Sequence, residues 1–241
     1  MSWTNDLGQP VGDPVGDWVA RLTPGRVSLS GRYVELEPVG PAHVDGLLRS
    51  VCAEDDESLW TYRSVPRPVE RSEVTALVDW LTDQTPGVTF VVLPEGHPHA
   101  QGLVSLMRVD AANGCLEVGG IMWSRQLQRT RAATEALVLI ATYVFEELGY
   151  RRLEWKCDSL TEPSRVAARR LGFSYEGRFR QALVVKGRNR DTDWFSIIDT
   201  EWPRLRTAYD AWLSPDNFDD DGGQVQPLSA LIARTNSEPR R

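Results

Sequence analysis

The apolar positions of the chain change period several times, and each change marks a new element. Residues 27–38 alternate, with Val34 and Leu36 on one side and Tyr33 and Glu35 on the other, so a strand is predicted there. Helical spacing follows from Pro41 to about Ala53, with proline in the first turn, and again over 69–83, where Val74, Leu77, Val78 and Leu81 share a stripe. Runs at 88–93, rich in Val and Phe, at 101–109 and at 115–123 read as strands, and the Asn113-Gly114 turn signal makes the last two antiparallel neighbours. From Thr130 to Leu148 the pattern is helical, with Ala133, Leu137, Ile140 and Val144 in register and Gly149 placed as a C-terminal cap. Period two returns at 151–158, where Leu153, Trp155 and Cys157 oppose Glu154, Lys156 and Asp158. This strand-helix-strand order implies that the strands at 115 and 151 run parallel. A short helix with Thr161 as N-cap candidate, strands at about 175–186 and 192–198, and a helix from about Glu201 to Leu213 complete the series. An α/β (α+β) fold is predicted, with a mixed sheet and helices on both faces.

The ends break this pattern. Residues 1–26 hold Gly8, Gly12, Gly16 and Gly25 and two Val-Gly-Asp phrases, an irregular lead-in that Trp18 is suited to pin. The region 27–213 forms the domain, and 214–241 an acidic, flexible tail around Asp219, Asp220, Asp221, Gly222 and Gly223. Leu228, Leu231 and Ile232 offer an apolar stripe for docking part of that tail.

Charge and cysteine usage change the picture by exclusion. The 241 residues carry a formal charge of -7, which argues against a nucleic acid or an anionic membrane as the main partner. Of 27 basic residues only Lys156 and Lys186 are lysines. The three cysteines and three histidines have no metal-ligand spacing, and no apolar stretch reaches the roughly 20 residues of a membrane span. A soluble, cytoplasmic protein without a metal is expected.

The chemistry gathers in Trp123-Ser-Arg-Gln-Leu-Gln-Arg-Thr-Arg-Ala-Ala-Thr-Glu-Ala136, where a strand end runs into a helix start. Free backbone N–H groups and the positive end of the helix dipole favour a phosphate there, and Arg125, Arg129 and Arg131 cluster at that end. The plain alternative is that these arginines are solvated or bridge to acids such as Glu135. The segment resembles the GNAT superfamily of acyl-CoA-dependent N-acyltransferases, and within it the RimJ/RimL-type branch. The family's pyrophosphate loop matches Gln128-Arg129-Thr130-Arg131-Ala132-Ala133, followed by Thr134-Glu135-Ala136, with Arg131 where the family has glycine. Its side chain must point away from the phosphates or embrace them, and embracing is favoured because the guanidinium fork binds phosphate bidentately. A second family phrase matches Thr161, Ser164, Gly172 and Phe173, with Thr161 in place of asparagine and Ala168 in place of a tyrosine acid.

The resemblance implies a mostly antiparallel twisted sheet with one splayed parallel pair, acetyl-CoA as co-substrate, and no covalent intermediate. Coenzyme contacts then fall on Ile121, Met122 and Trp123 at the splay, on Gln128, Arg129, Thr130, Arg131, Ala132, Ala133 and Thr134 at the loop, and on Thr161 and Ser164. Ser164 steadies the departing thiolate and Glu176 is the general base. Their structural alternatives are a capping role for Ser164 and a strand carboxylate paired with Arg178 or Arg180 for Glu176. Trp60, Tyr62 and Asp191 are candidates for the acceptor pocket, against core packing for the aromatics and a solvated turn for Asp191. The expected activity is acetyl transfer from acetyl-CoA to a primary amine of a small molecule or amino compound. A protein N-terminus and a non-catalytic coenzyme-binding module stand as alternatives, and the expected partners are the amine and at most a second copy of the chain.

Overall fold

The alternating segments come together in one eight-stranded sheet, seen in a computed structural model that describes residues 3–220 and 222–237. A small pair, β1 (Trp3–Thr4) and β2 (Pro10–Val11), stands apart from it. The sheet strands are β3 (Leu29–Ser30), β4 (Val34–Pro38), β5 (Val88–Pro94), β6 (Gly102–Asp110), β7 (Cys115–Trp123), β8 (Arg152–Asp158), β9 (Ser174–Val185) and β10 (Arg188–Ile198). Their spatial order is β3-β4-β5-β6-β7-β8-β10-β9, and β7 beside β8 is the parallel pair. Helices α1 (Val44–Val51) and α2 (Arg71–Thr82) cover one face over Val91, Leu103 and Met122. The other face packs against α3 (Arg131–Thr142), α4 (Glu162–Arg170) and α5 (Trp202–Leu213), with α6 (Leu228–Ser237) beside α5.

The period-two reading of β8 holds side by side with its burial. Leu153, Trp155 and Cys157 lie in the core, while Arg152, Glu154 and Lys156 form ion pairs on the opposite face. The predicted strand at 27–38 instead folds back on itself, pairing Leu29 with Leu36. The cause is Glu135 on α3, whose buried carboxylate accepts the N–H groups of Arg32 (2.9 Å) and Tyr33 (2.6 Å). A Cβ on Gly31 would lie 2.5 Å from that carboxylate, so the turn needs glycine. Glu135 therefore organises the fold and bridges to none of the nearby arginines among the described residues.

Both chain ends are tied down. The Trp18 indole donates to the Ala112 carbonyl at 2.7 Å and stacks between Arg21 and Arg151. At the other end Leu228 is buried and Leu231 and Ile232 pack on the main core, so the apolar stripe docks this part of the tail. Asp221 and the terminal arginines lie outside the described residues.

Candidate active site

The parallel pair is short, and its shortness creates a cleft. β7 and β8 are in register only at Cys115–Arg152, Leu116–Leu153 and Glu117–Glu154, after which the strands part. A bulge in β7 accompanies the parting: Leu103 pairs with Met122 and Ser105 with Gly119, so Val104 faces both Gly120 and Ile121. Gly120 has φ +60, and a Cβ there would meet the Ser105 hydroxyl at 2.8 Å. The glycine thus lets β7 turn away from β8, leaving residues 118–123 without a β8 partner. Ile121 and Trp123 are half-buried along this open edge, whereas the Met122 side chain points into the α1/α2 core.

Just beyond, α3 opens with donors to spare. Thr130 is its N-cap, accepting from Ala133 N–H at 3.1 Å and donating to the Leu127 carbonyl at 2.7 Å. The N–H groups of Arg129, Arg131 and Ala132 have no partner among the described residues. Arg129, at φ +63, is exposed and unpaired among the described residues, while Gln128 folds back to donate to the Trp123 carbonyl at 3.2 Å. This arrangement fits a pyrophosphate held mainly by backbone.

The three arginines of this end do not act together, contrary to expectation. Arg131 points away from the helix start, its guanidinium 4.9 Å from the Tyr33 ring and 4.3 Å from the Phe218 ring. Its backbone N–H remains free for a phosphate, which reconciles the glycine replacement with a retained loop. Arg125 reaches sideways to the Asp55 carbonyl and to Asp56 (3.4 Å). Thr134 is also turned inward, accepting from Arg170 at 3.2 Å.

At the far side of the cleft stands the first turn of α4. Ser164 Oγ accepts from the Trp155 indole at 3.0 Å and lies against the Cys157 thiol. Its own proton is within reach of the Cys157 sulfur. Thr161 is the N-cap by position, yet its hydroxyl makes no cap bond and is buried without a partner. A ligand at this end would satisfy it. Burial raises the Cys157 thiol above its ordinary range, which makes it a poor nucleophile at neutral pH.

Two acidic positions differ in their surroundings. Glu176 lies beside Arg152, which donates two bonds to it (2.7 and 2.5 Å), and it accepts a third from Ser196 at 2.7 Å. Arg152 holds the Glu176 carboxyl below the usual carboxylate range. Through Arg152 it is tied to the closed end, where Arg152 pairs with Cys115. Glu117 is at the neck of the cleft, in the last paired position before the strands part. Its carboxylate folds along the strand to within 2.8 Å of where a Gly119 Cβ would stand. Burial raises its pKa despite Lys156 (3.0 Å) and Arg108 (3.6 Å). The available signal in sequence was a carboxylate in an apolar strand followed, after Val118, by Gly119 and Gly120.

The acceptor side is walled by the connection between α1 and α2 and by the β9–β10 hairpin. Tyr62 donates to the Leu160 carbonyl (3.3 Å) and Lys186 to the Trp60 carbonyl (2.9 Å), so two latches cross the mouth. Trp60 itself is a core residue, its indole bonded to the Val51 carbonyl at 2.8 Å, and it does not line a pocket through its side chain. Asp191 lies in an open groove with Arg180, Gln181 and Asn189. Its Oδ1 is engaged by the Gln181 N–H (2.8 Å) and the Asn189 amide (3.0 Å), so it braces the hairpin. Arg63, which follows Tyr62, was not anticipated; it reaches into the splay to donate to the Ile121 carbonyl. Among the described residues no cluster of three His, Cys, Asp or Glu side chains could hold a metal, and no helix is long and apolar enough to cross a membrane.

Comparison with known proteins matches this geometry. Residues 34–174 fit the family model for the acetyltransferase (GNAT) domain. The crystal structure of a GCN5-related N-acetyltransferase from Brucella melitensis is 44% identical, covers 91% of this chain and 100% of its own, and superposes with a TM-score of 0.89. A GNAT-family protein of Chromobacterium violaceum ATCC 12472 is 36% identical over 81% of this chain and 98% of its own, with a TM-score of 0.76. YdaF of Bacillus subtilis (strain 168), provisionally named a ribosomal N-acetyltransferase, is 29% identical over 153 residues, 62% of this chain and 76% of its own. The chain belongs to the GNAT family of acyl-CoA-dependent N-acetyltransferases.

Proposed function

We propose that this enzyme transfers the acetyl group of acetyl-CoA to the primary amine of a small amino compound. The observation that carries the choice of a small acceptor is the pair of latches, Tyr62 to Leu160 and Lys186 to Trp60, which narrow the mouth above the splay. Acetyl-CoA supplies the activated thioester. The N–H groups of Arg129, Arg131 and Ala132, with the Arg129 guanidinium, hold its pyrophosphate, and the main chain at Ile121 to Trp123 orients its pantetheine arm.

Glu117 takes the proton that the attacking amine must shed. Its raised pKa makes it a stronger base than an ordinary glutamate, and the rate rises with pH as it ionises, above the usual carboxylate range. Carbon–nitrogen bond formation expels the thiolate, which the Ser164 hydroxyl steadies with its own proton, while Thr161 adds a second hydroxyl nearby. The three cysteines are unpaired, in keeping with a reducing, cytoplasmic setting.

A second reading, acetylation of a protein N-terminus, is supported by the likeness to YdaF. The test is thiol release with acetyl-CoA across small amines and N-terminal peptides, with products identified by mass. Small amines are expected to turn over; turnover of peptides alone would select the second reading. Glu117→Gln is expected to lower kcat/KM about 100-fold or more and to abolish the basic-going rise of the pH profile. Ser164→Ala is expected to cost about 10-fold, one lost hydrogen bond to a charge. Full turnover in both variants would remove these residues from the mechanism.

A further inference from the structure

Four acids around the acceptor mouth are engaged by other groups, and three cations there form no ion pair among the described residues. Asp56 is taken by Arg125 (3.4 Å), Glu57 by Arg67 (2.9 Å), and the fully buried Asp193 by Arg178 (2.7 Å) and Arg165 (3.1 Å). Asp191 is engaged by amide donors of its own hairpin. Among the described residues Arg63 has the Ile121 carbonyl as its hydrogen-bond partner, and Lys186 the Trp60 carbonyl. Arg190 makes no ion pair among the described residues, and its Nε is buried without a hydrogen-bond partner. Arg63 and Arg190 come from opposite walls and lie near enough to repel, and Arg190 is also within electrostatic reach of Cys157 at the thiol end.

Two partly desolvated guanidiniums within electrostatic reach of each other, without a counter-ion among the described residues, repel each other and are favourable around an anion. Burial, and then Arg190, lower the Arg63 pKa to about 10, still well above neutrality, so the site is cationic under working conditions. The arrangement is the more informative because the whole chain carries a net charge of -7. Nor is the donor's pyrophosphate the natural counter-ion, since its cradle lies at the start of α3, with Arg129 beside it.

We propose that the acceptor is an amino compound bearing a carboxylate, which Arg63 and Arg190 bind at the mouth so that the amine is presented to Glu117. The planar fork of arginine matches a carboxylate with two parallel bonds, and two such forks fix an orientation that a lone point charge does not. Lys186 borders the same entrance and releases its latch to the incoming anion. The proposal rests on the acetyl-transfer reading and narrows it.

The experiment compares matched pairs, an amino acid against its amide, and aminoalkyl phosphates of similar length, by thiol release with acetyl-CoA. The acids are expected to exceed their amides at least 10-fold in kcat/KM. Arg63→Gln and Arg190→Gln are expected to reduce that ratio below about threefold by raising the KM for the acids, with the acetyl-CoA KM of Arg190→Gln, which lies off the coenzyme edge, within about twofold of the parent. Arg63→Lys is expected to recover part of the preference, which excludes misfolding as the cause. A ratio near one in the parent overturns the proposal and leaves acetyl transfer standing. So does equal loss of kcat for acids and amides in the variants, which would assign the arginines to transition-state charge instead. Preference for the phosphates, or for acidic peptides over every amino acid, overturns the carboxylate class. Protection against heat by an amine-free carboxylate such as propionate, in the parent but not in an Arg63→Gln/Arg190→Gln double variant, needs no turnover. It therefore supports the anion site even if no amine is acetylated, and its absence in the parent counts against the site.

Discussion

Arginines at the start of α3 and arginines at the acceptor mouth have the same side chain and opposite circumstances. Of the first group, Arg125 is taken up by Asp55 and Asp56, and Arg131 by the rings of Tyr33 and Phe218. Among the described residues Arg129 alone of the three stands open there, beside backbone N–H groups without a partner. At the mouth the donors are side chains, and Arg63 and Arg190 have no carboxylate within ion-pair distance among the described residues. The contrast teaches that arginine density along a sequence does not locate an anion site. What locates it is which guanidiniums remain after the fold has assigned partners to the rest.

The largest test of that contrast is to unmake a neutralised group. Asp193 is fully buried between Arg178 and Arg165, so Asp193→Asn leaves two cations against a neutral amide. Unfolding in urea is expected to show a loss of roughly 3 kcal/mol, because breaking a buried pair from one side strands the other charge. A loss under about 1 kcal/mol would mean that water already screens this trio.

Next in size is the division of labour between Arg129 and Arg131. Replacing exposed Arg129 by glycine suits its φ of +63 and removes its charge, so acetyl-CoA affinity is expected to fall about 10-fold with stability kept. Arg131→Gln is expected to do the reverse. It loses two ring contacts, about 1 kcal/mol and about 3 °C in melting temperature, while acetyl-CoA affinity stays within about twofold. Titration calorimetry and thermal melts on both variants decide it, and a large affinity loss in Arg131→Gln would return that side chain to the phosphate.

These cases mark how far the sequence could be read. The strand and helix order was legible because β8 and α3 carry uninterrupted periods, and the turn into α3 was legible because N-cap Thr130 and the small residues after it are contiguous. The strand at 27–38 was misjudged because its break is imposed by Glu135, about a hundred residues away, through backbone donors that no local pattern shows. Arg131 was misread for a similar reason: Phe218 reaches it only when the C-terminal segment docks. Glu176 and Glu117 differ in surroundings because these depend on cross-strand neighbours that the local sequence does not show. Register places Glu176 with Arg152 and Ser196, and Glu117 at the parting of the strands.

That difference yields the smallest predicted effect. Glu176 has a folded pKa below its ordinary value, so its contribution to stability is present above the unfolded pKa of about 4.3 and is lost as the pH falls through the folded value. The carboxylate is 40% exposed, which screens the pair with Arg152, so Glu176→Gln is expected to cost only a few tenths of a kcal/mol near pH 7. The gap between parent and variant should narrow as the pH is lowered from about 5 toward 3, where both side chains become uncharged. Turnover of the variant near pH 7 is expected to match the parent, since Glu176 is tied through Arg152 to the closed end of the strand pair. A loss of kcat in Glu176→Gln as large as in Glu117→Gln would show that the closed end communicates with the cleft. The proton would then leave by way of Arg152 and Glu176 and not through Glu117 alone.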